Sequence, residues 1–205
     1  MPDMSSIDAR FGAQPWGNVL RQRLYAIATA PTLAFYIGDV VGHDGTALST
    51  PHGTIAALEK DATTAGGGAG KQVGAVTALF DEKMDPTPYI AASATGNGTI
   101  AGYAMVADHP DQEFLIQEDG DTSSVVVANI GLNADYIATT AGSTTTGLSG
   151  HELDSNTVNT TATLDLKILD IHPEDSISAA GAAGNHARFI VRINAHYHGA
   201  NVAGI

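Results

Sequence analysis

Residues 161–171 read TATLDLKILDI, and residues 188–198 read RFIVRINAHYH. Apolar and polar residues alternate through the first stretch up to Ile168, where the phase slips by one residue at Leu169. Period-two alternation predicts a strand with one buried face, and the slip predicts a β-bulge at 168–169. The second stretch alternates in the same way, with its apolar face made of Phe189, Val191, Ile193, Ala195 and Tyr197. Together the two stretches predict a long antiparallel hairpin.

Further short stretches of β-prone residues lie between turn signals along the rest of the chain. They cover residues 33–41, 73–79, 89–92, 99–107, 113–117, 124–128 and 136–139. The first of them ends at the turn formers 42–45, and residues 46–72 form a loop with one short helix at 54–60. Closely spaced short strands are typical of a β-barrel or β-sandwich. The fold class is therefore mainly β, with a body of short antiparallel strands over 33–205; two small β subdomains divided near 140–156 remain an alternative.

Residues 1–32 differ from this body, because large aromatic residues alternate with arginines there. The residues with this character are Arg10, Phe11, Trp16, Arg21, Arg23 and Tyr25. Residues 18–28 have helix-compatible spacing, but Gly17 and Pro31 keep any helix short. Aromatic residues and arginine are enriched at protein interfaces. We therefore predict an N-terminal arm over 1–32, with a first strand inside the core as the alternative.

Composition excludes several functional classes. The 205-residue chain has no cysteine, which excludes disulfides and thiol chemistry and fits folding in a reducing cytoplasm. Its net charge is −13, and only four lysines and no arginine lie between residues 24 and 187, so nucleic acid is not an expected partner. The chain has neither a long apolar run nor a signal-peptide layout at its start, and we expect no membrane partner and no export.

Few sequence motifs in this chain point to metal binding or catalysis. His196 and His198 stand two apart, so that a metal site with His172 or His186 as third ligand is a minor alternative to a polar interface. Acidic residues between 108 and 121 lack the spacing of a calcium loop and are expected to form a solvated rim. No glycine, serine or histidine motif has the spacing of a known catalytic signature. We therefore expect no enzyme activity, no cofactor and no resident metal.

Four segments of the chain resemble small structural proteins of tailed bacteriophages. They are PWGNVLRQRLY at 15–25, FYIGDVV at 35–41, PDQEFLIQED at 110–119 and FIVRINAHYH at 189–198. In that group such chains are capsid decoration, or cement, proteins, which bind the outside of the major capsid shell, often as trimers. The resemblance implies a homotrimer on the outer capsid surface of a virion, made in the host bacterial cytoplasm, with the major capsid protein as partner.

The arm and the terminal strand are the expected docking surface for that partner. The residues assigned to it are Arg10, Phe11, Trp16, Arg21, Arg23, Tyr25, Arg192, His196 and His198. Basic chain ends and an acidic body predict that the ends dock while the body faces solvent. An adhesive or carbohydrate-binding β-module of a phage tail is the first alternative function, and a small β-barrel enzyme is the second.

Overall fold

Short β-branched and aromatic runs form the strands of a computed structural model, which describes residues 7–60, 72–121, 125–175 and 186–199. The fold is mainly β, as predicted. The described strands are β1 (Gln14–Pro15), β2 (Gln22–Ala28), β3 (Phe35–Tyr36), β4 (Val40–Thr50), β5 (Gly53–Glu59), β6 (Gln72–Asp81), β7 (Pro86–Thr87), β8 (Tyr89–Ile90), β9 (Ile100–Ala107), β10 (Glu113–Gln117), β11 (Asn133–Ala134), β12 (Tyr136–Ile137), β13 (Glu152–Leu153), β14 (Leu166–Ile171) and β15 (Arg188–Ile193). Among the fully described elements, single 3-10 turns lie at Val127–Asn129 and Ser155–Thr157.

Five strands close into a small barrel. Their order is β4-β5-β2-β9-β6, and β6 pairs back onto β4, while β7 extends β6. The pairs are antiparallel except for β2 with β5. Alternation along β2 places Tyr25 and Ile27 in one apolar cluster and Ala26 in another with Tyr103. Closure leaves few unpaired edges, which a barrel of short strands requires for stability.

Strands β10, β14 and β15, with the two-residue strands β1 and β11 at the edges, form a five-stranded antiparallel sheet in the order β1-β10-β15-β14-β11. Strands β14 and β15 pair antiparallel as predicted for the hairpin, but the pairing covers only 166–171 and 188–193, and residues 161–165 and 194–198 do not continue the two strands. Ile168 pairs with Val191 and Asp170 pairs with Ile190, so Leu169 is the extra residue of a bulge. The bulge therefore lies where the slip in alternation predicted it.

The sheet and the barrel share one core. Phe114, Ile116 and Phe189 of the sheet pack in a cluster with Val40 and Ala107 of the barrel. Residues 140–156 do not divide two subdomains, because the segment is bonded to both parts. The Ser149 backbone N donates to the Ile37 O at 2.8 Å, and the Asp119 N donates to the Leu153 O at 3.1 Å. The chain instead passes from the barrel to the sheet around residues 108–112.

The described part of the N-terminal segment is not an arm. β2 lies between β5 and β9 inside the barrel, which is the alternative considered above. Upstream of it, Gly12 (φ +72°) crosses Gly38 (φ +91°), and the Ala13 N donates to the Gly38 O at 2.8 Å. A Cβ on Gly12 would lie 2.4 Å from the Gly38 O, so the crossing requires glycine. Deleting 1–32 would therefore remove a barrel strand and would not leave a folded body.

Other local predictions fail because long-range pairing overrides local preference. Residues 54–59 of the predicted helix at 54–60 belong to β5, since β5 pairs on both edges with β2 and β4. The turn formers at 42–45 lie within β4, where the register shifts between His43 and Ala47. The predicted loop at 46–72 is thus strand up to residue 59, and its residues 61–71 lie outside the described part.

The other predicted strands differ in how well they match the structure. Residues 73–79, 100–107 and 113–117 are strands as predicted. The strands predicted over 89–92 and 136–139 are only two residues long, and the stretch 33–41 is divided between β3 and the start of β4. A 3-10 turn at Val127–Asn129 replaces the strand predicted over 124–128, and residues 122–124 are outside the described part. Among the described residues, no helix is long and apolar enough to span a bilayer.

Candidate docking surface

The start of β2 and the end of β9 meet at a buried carboxylate. Asp108 is fully buried, and its Oδ1 accepts a hydrogen bond from the Arg21 Nε at 2.7 Å. The Tyr25 hydroxyl donates to the Asp108 Oδ2 at 2.8 Å, and the Arg23 Nε lies 3.5 Å from the same oxygen. Burial and the hydrogen bond to Asp108 raise the pKa of Tyr25 to about 12. The hydrogen bonds to Asp108 therefore hold the Arg21 and Tyr25 side chains in place, whereas the Arg23 side chain is half exposed at 51%.

The C-terminal segment lies beside these side chains. The Tyr197 N donates to the Gln72 O at 2.7 Å, which holds the segment on the first residue of β6. The ring of Tyr197 stacks on His43 with centroids 5.3 Å apart and meets His198 edge-on at 5.0 Å. Tyr197 is nevertheless 50% exposed. An exposed aromatic ring held in place by two neighbours is a rigid contact residue.

These residues enclose a shallow groove of about 300 Å³, which we call the terminal groove. It is lined by Arg23, Leu24, Tyr25, His43, Thr54, Ile55, Ala56, Tyr197 and His198. Burial, together with the charges of Arg21 and Arg23, lowers the pKa of His198. Burial first and the neighbouring His198 second lower the pKa of His196 to about 4. Both shifts favour neutral histidines, so Arg23 is the fixed positive charge in the groove.

The structure thus brings together five of the nine predicted docking residues, from opposite ends of the chain. They are Arg21, Arg23, Tyr25, His196 and His198. Arg192 lies nearby, where it pairs with Asp111 at 3.2 Å and lines a small cavity with His196.

The other three predicted residues are elsewhere. Arg10 pairs with Asp8 and Glu152, and Phe11 is half-buried near the Gly12 crossing. Trp16 packs edge-on against His172 at 5.1 Å. They were predicted to dock a partner from a free arm, but the segment they belong to is built into the fold.

The alternative metal site at His196 and His198 does not assemble. The His196 Nδ1 accepts a hydrogen bond from the His198 N at 3.0 Å, so that nitrogen is occupied. His172 packs on Trp16, and the His186 Nδ1 lies 3.3 Å from the Glu118 O. Neither proposed third ligand therefore joins the pair.

A buried polar cluster around Asp39 escaped the sequence analysis. Its carboxylate accepts from the Ser149 Oγ at 2.6 Å and lies 2.8 Å from the Lys60 Nζ and 3.5 Å from the His151 Nε2. The His151 Nδ1 accepts from a backbone N–H at 3.2 Å, and burial lowers the pKa of His151 to about 4. The hydroxyl is bonded to the carboxylate and not to the imidazole, so the three residues do not have the geometry of a catalytic triad.

A group of neighbouring carboxylates, which we call the acidic region, consists of Glu118, Asp119, Asp135, Glu152 and Asp154. Of these, only Glu118 and Asp119 belong to the stretch 108–121 that was predicted as a solvated rim. Burial raises the pKa of Glu118 to about 8 and that of Glu152 to about 7. Asp119, Asp135 and Asp154 also have raised pKa values, again through burial. The rim prediction is wrong for Asp108 and Glu118, which are both fully buried.

No protein-family model, no curated protein and no solved structure matches this chain. Function must therefore be inferred from its own residues.

Proposed function

We propose that this protein is a non-catalytic structural protein of a tailed-phage virion that binds the outer surface of the major capsid shell and stabilises it. The terminal groove is the proposed contact surface. The observation that supports the proposal is the convergence of an exposed rigid tyrosine, Tyr197, and a half-exposed arginine, Arg23, from the two ends of the chain. Tyrosine and arginine are the residue types that most often dominate binding energy at interfaces.

Two exposed apolar residues extend this surface. Val19 is 46% and Leu20 54% exposed, and they directly precede Arg21 in the chain. An apolar and aromatic surface with a positive charge fits a partner that presents an apolar patch beside a carboxylate. The sequence resemblance supports the major capsid protein as that partner and a homotrimer as the assembly.

The test is binding of purified protein to capsids that lack it, measured by co-sedimentation and by electron microscopy. Arg23→Gln and Tyr197→Ala should each weaken binding about tenfold or more, as expected for residues at an interface centre. Lys83→Gln and Val127→Ala are the matched controls, because they change an exposed cation and an exposed apolar residue remote from the groove. Affinity should fall modestly as salt rises, since only the charge contribution is screened.

The alternatives give different outcomes. Binding to tails, or to a glycan array, in place of heads would replace the proposal with an adhesive module. Equal loss of capsid binding in the groove variants and in the controls would show that the groove is not the contact surface. A sedimentation mass of 21.0 kDa for the free protein, together with single copies in electron micrographs of decorated capsids, would contradict the trimer.

A further inference from the structure

Three side chains from distant parts of the chain converge at one end of the acidic region. They are Asp8 before β1, Glu152 in β13 and His186 before β15, and one ligand atom from each lies within 4.8 Å of the others. Zinc binds carboxylate oxygen and imidazole nitrogen at about 2.0–2.2 Å, which separates neighbouring ligands by about 3–4 Å. Side-chain shifts of about 1 Å would therefore complete a first coordination shell.

One carboxylate oxygen of the glutamate has no partner in the described part of the chain. Glu152 is 2% exposed, and its Oε1 has no hydrogen-bond partner among the described residues. A buried carboxylate oxygen without a partner is costly, because it has lost water and gained nothing in exchange. A cation at this position would remove that cost.

A backbone carbonyl orients the imidazole ring of His186. The His186 Nδ1 lies 3.3 Å from the Glu118 carbonyl O, so a proton on Nδ1 leaves the lone pair of Nε2 free. An imidazole hydrogen-bonded to a backbone carbonyl in this way is the usual arrangement of a metal-binding histidine. The ring also lies against the backbone of Gly120, where a Cβ would come within 2.3 Å of the His186 Cε1. The position of the ring therefore depends on that glycine.

A positive side chain already occupies the position between the carboxylates. The Arg10 Nε lies 2.9 Å from the Glu152 Oε2, and its Nη2 lies 3.1 Å from the Asp8 Oδ2. Arg10 is 39% exposed and can leave for solvent. Asp119 adds further negative charge near Glu152.

We propose that Asp8, Glu152 and His186 bind a divalent transition-metal ion, best represented by Zn²⁺, which displaces Arg10 from the two carboxylates. Mixed imidazole and carboxylate ligands favour zinc over calcium or magnesium, which prefer oxygen alone. The ion ties the N-terminal segment to β13 and to the start of β15. This site is independent of the proposed capsid binding.

The experiment is calorimetric titration of the full chain with Zn²⁺ after removal of metals by a chelator, alongside Ca²⁺ and Mg²⁺. His186→Gln and Glu152→Gln should each weaken Zn²⁺ binding at least tenfold, and Asp8→Asn should weaken it less because Asp8 is exposed. Arg10→Gln should strengthen binding several-fold, because the competing cation is gone. The double variant His196→Gln/His198→Gln is the control and should bind Zn²⁺ as the parent does.

Several results would overturn the site. Absence of Zn²⁺ binding at about 1 mM in the parent protein is one. Unchanged affinity in His186→Gln, or lost affinity in the His196 and His198 control, would place the ion elsewhere. Weaker binding in Arg10→Gln would contradict the competition. If Glu152→Gln does not fold, the His186 and Arg10 variants decide the question, since both side chains are at the surface end of the site.

Discussion

Asp39 and Glu118 are both fully buried carboxylates, and they have very different surroundings. Asp39 accepts from the Ser149 Oγ at 2.6 Å and from a backbone N–H at 2.8 Å, and the Lys60 Nζ lies 2.8 Å from it. Glu118 accepts one backbone N–H at 2.9 Å, and its Oε2 has no hydrogen-bond partner among the described residues. The first carboxylate has a buried cation beside it, and the second has acidic neighbours.

The comparison separates two uses of buried charge. Breaking a buried ion pair leaves an uncompensated charge, so the Asp39 cluster holds the barrel to residues 149–151. A buried carboxylate without a cation instead shifts its pKa, and burial raises the pKa of Glu118 to about 8. We expect the Asp39 cluster to govern stability and the acidic region to respond to pH and to cations.

The largest effect is expected from removing the cation beside Asp39. Lys60 is only 4% exposed, and Lys60→Met should cost about 3–5 kcal/mol of unfolding free energy, because Asp39 remains buried without its counter-charge. Denaturant unfolding measures this. Glu174→Gln is the control: Glu174 pairs with Arg188 but is 68% exposed, so its loss should cost less than about 0.5 kcal/mol. Similar costs for the two variants would remove the distinction.

A substitution at Gly12 should also disturb the Asp39 cluster, because Gly12 lies against Ser149. A Cβ there would lie 2.5 Å from the Ser149 Cβ, at a φ of +72°. Gly12→Ala should therefore cost about 3 kcal/mol, from backbone strain together with overpacking. Gly17 has a φ of +70° with nothing within 4 Å of such a Cβ, so Gly17→Ala should cost about 1 kcal/mol. Equal costs would show that the crossing near Ser149 is loose.

These sites mark the limit of prediction from sequence. Local alternation predicted the β14–β15 hairpin and its bulge, because apolar and polar residues alternate along a strand that has one buried face. The placement of β2 in the barrel was only the alternative to an arm, since its pairing with β9 involves residues about 80 positions away. Ser149 and His151 lie more than 100 residues from Asp39 in sequence, and no local sequence pattern predicts that they contact it.

The candidate docking surface was predicted in part for a related reason. Arg23 was singled out because arginine among aromatic residues is unusual in an acidic chain, and His198 because it stands two residues from His196. Their common position follows from the Tyr197 N to Gln72 O bond and the start of β2, neither of which the sequence reveals. The same reasoning failed for Trp16, whose exposure depended on an arm that does not exist in the described chain.

A third prediction concerns the pH response of Glu118. Its folded pKa of about 8 lies above the ordinary 4.5, so its contribution to stability is full below pH 4.5 and is lost as pH rises towards 8. With a chelator present, Glu118→Gln should raise the unfolding free energy by about 2–4 kcal/mol at pH 9 and change it little at pH 4. Glu113→Gln, an exposed change at the start of β10, the strand that ends just before Glu118, should shift stability little at either pH. A parallel shift at both pH values would contradict the assignment.

The smallest effects on unfolding free energy are expected at Asp108, whose carboxylate has a close arginine partner, Arg21, and a more distant one, Arg23. The Arg21 Nε donates to it at 2.7 Å, so Arg21→Gln should cost about 1.5–3 kcal/mol, the range for a hydrogen bond to a charged group. The Arg23 Nε is 3.5 Å away on a side chain 51% exposed, so Arg23→Gln should cost less than about 0.5 kcal/mol. Thermal unfolding at low and high salt separates them further, because only the exposed pair is strongly screened. A large loss in Arg23→Gln would make Arg23 a structural residue, and its effect on capsid binding would then no longer report on the terminal groove.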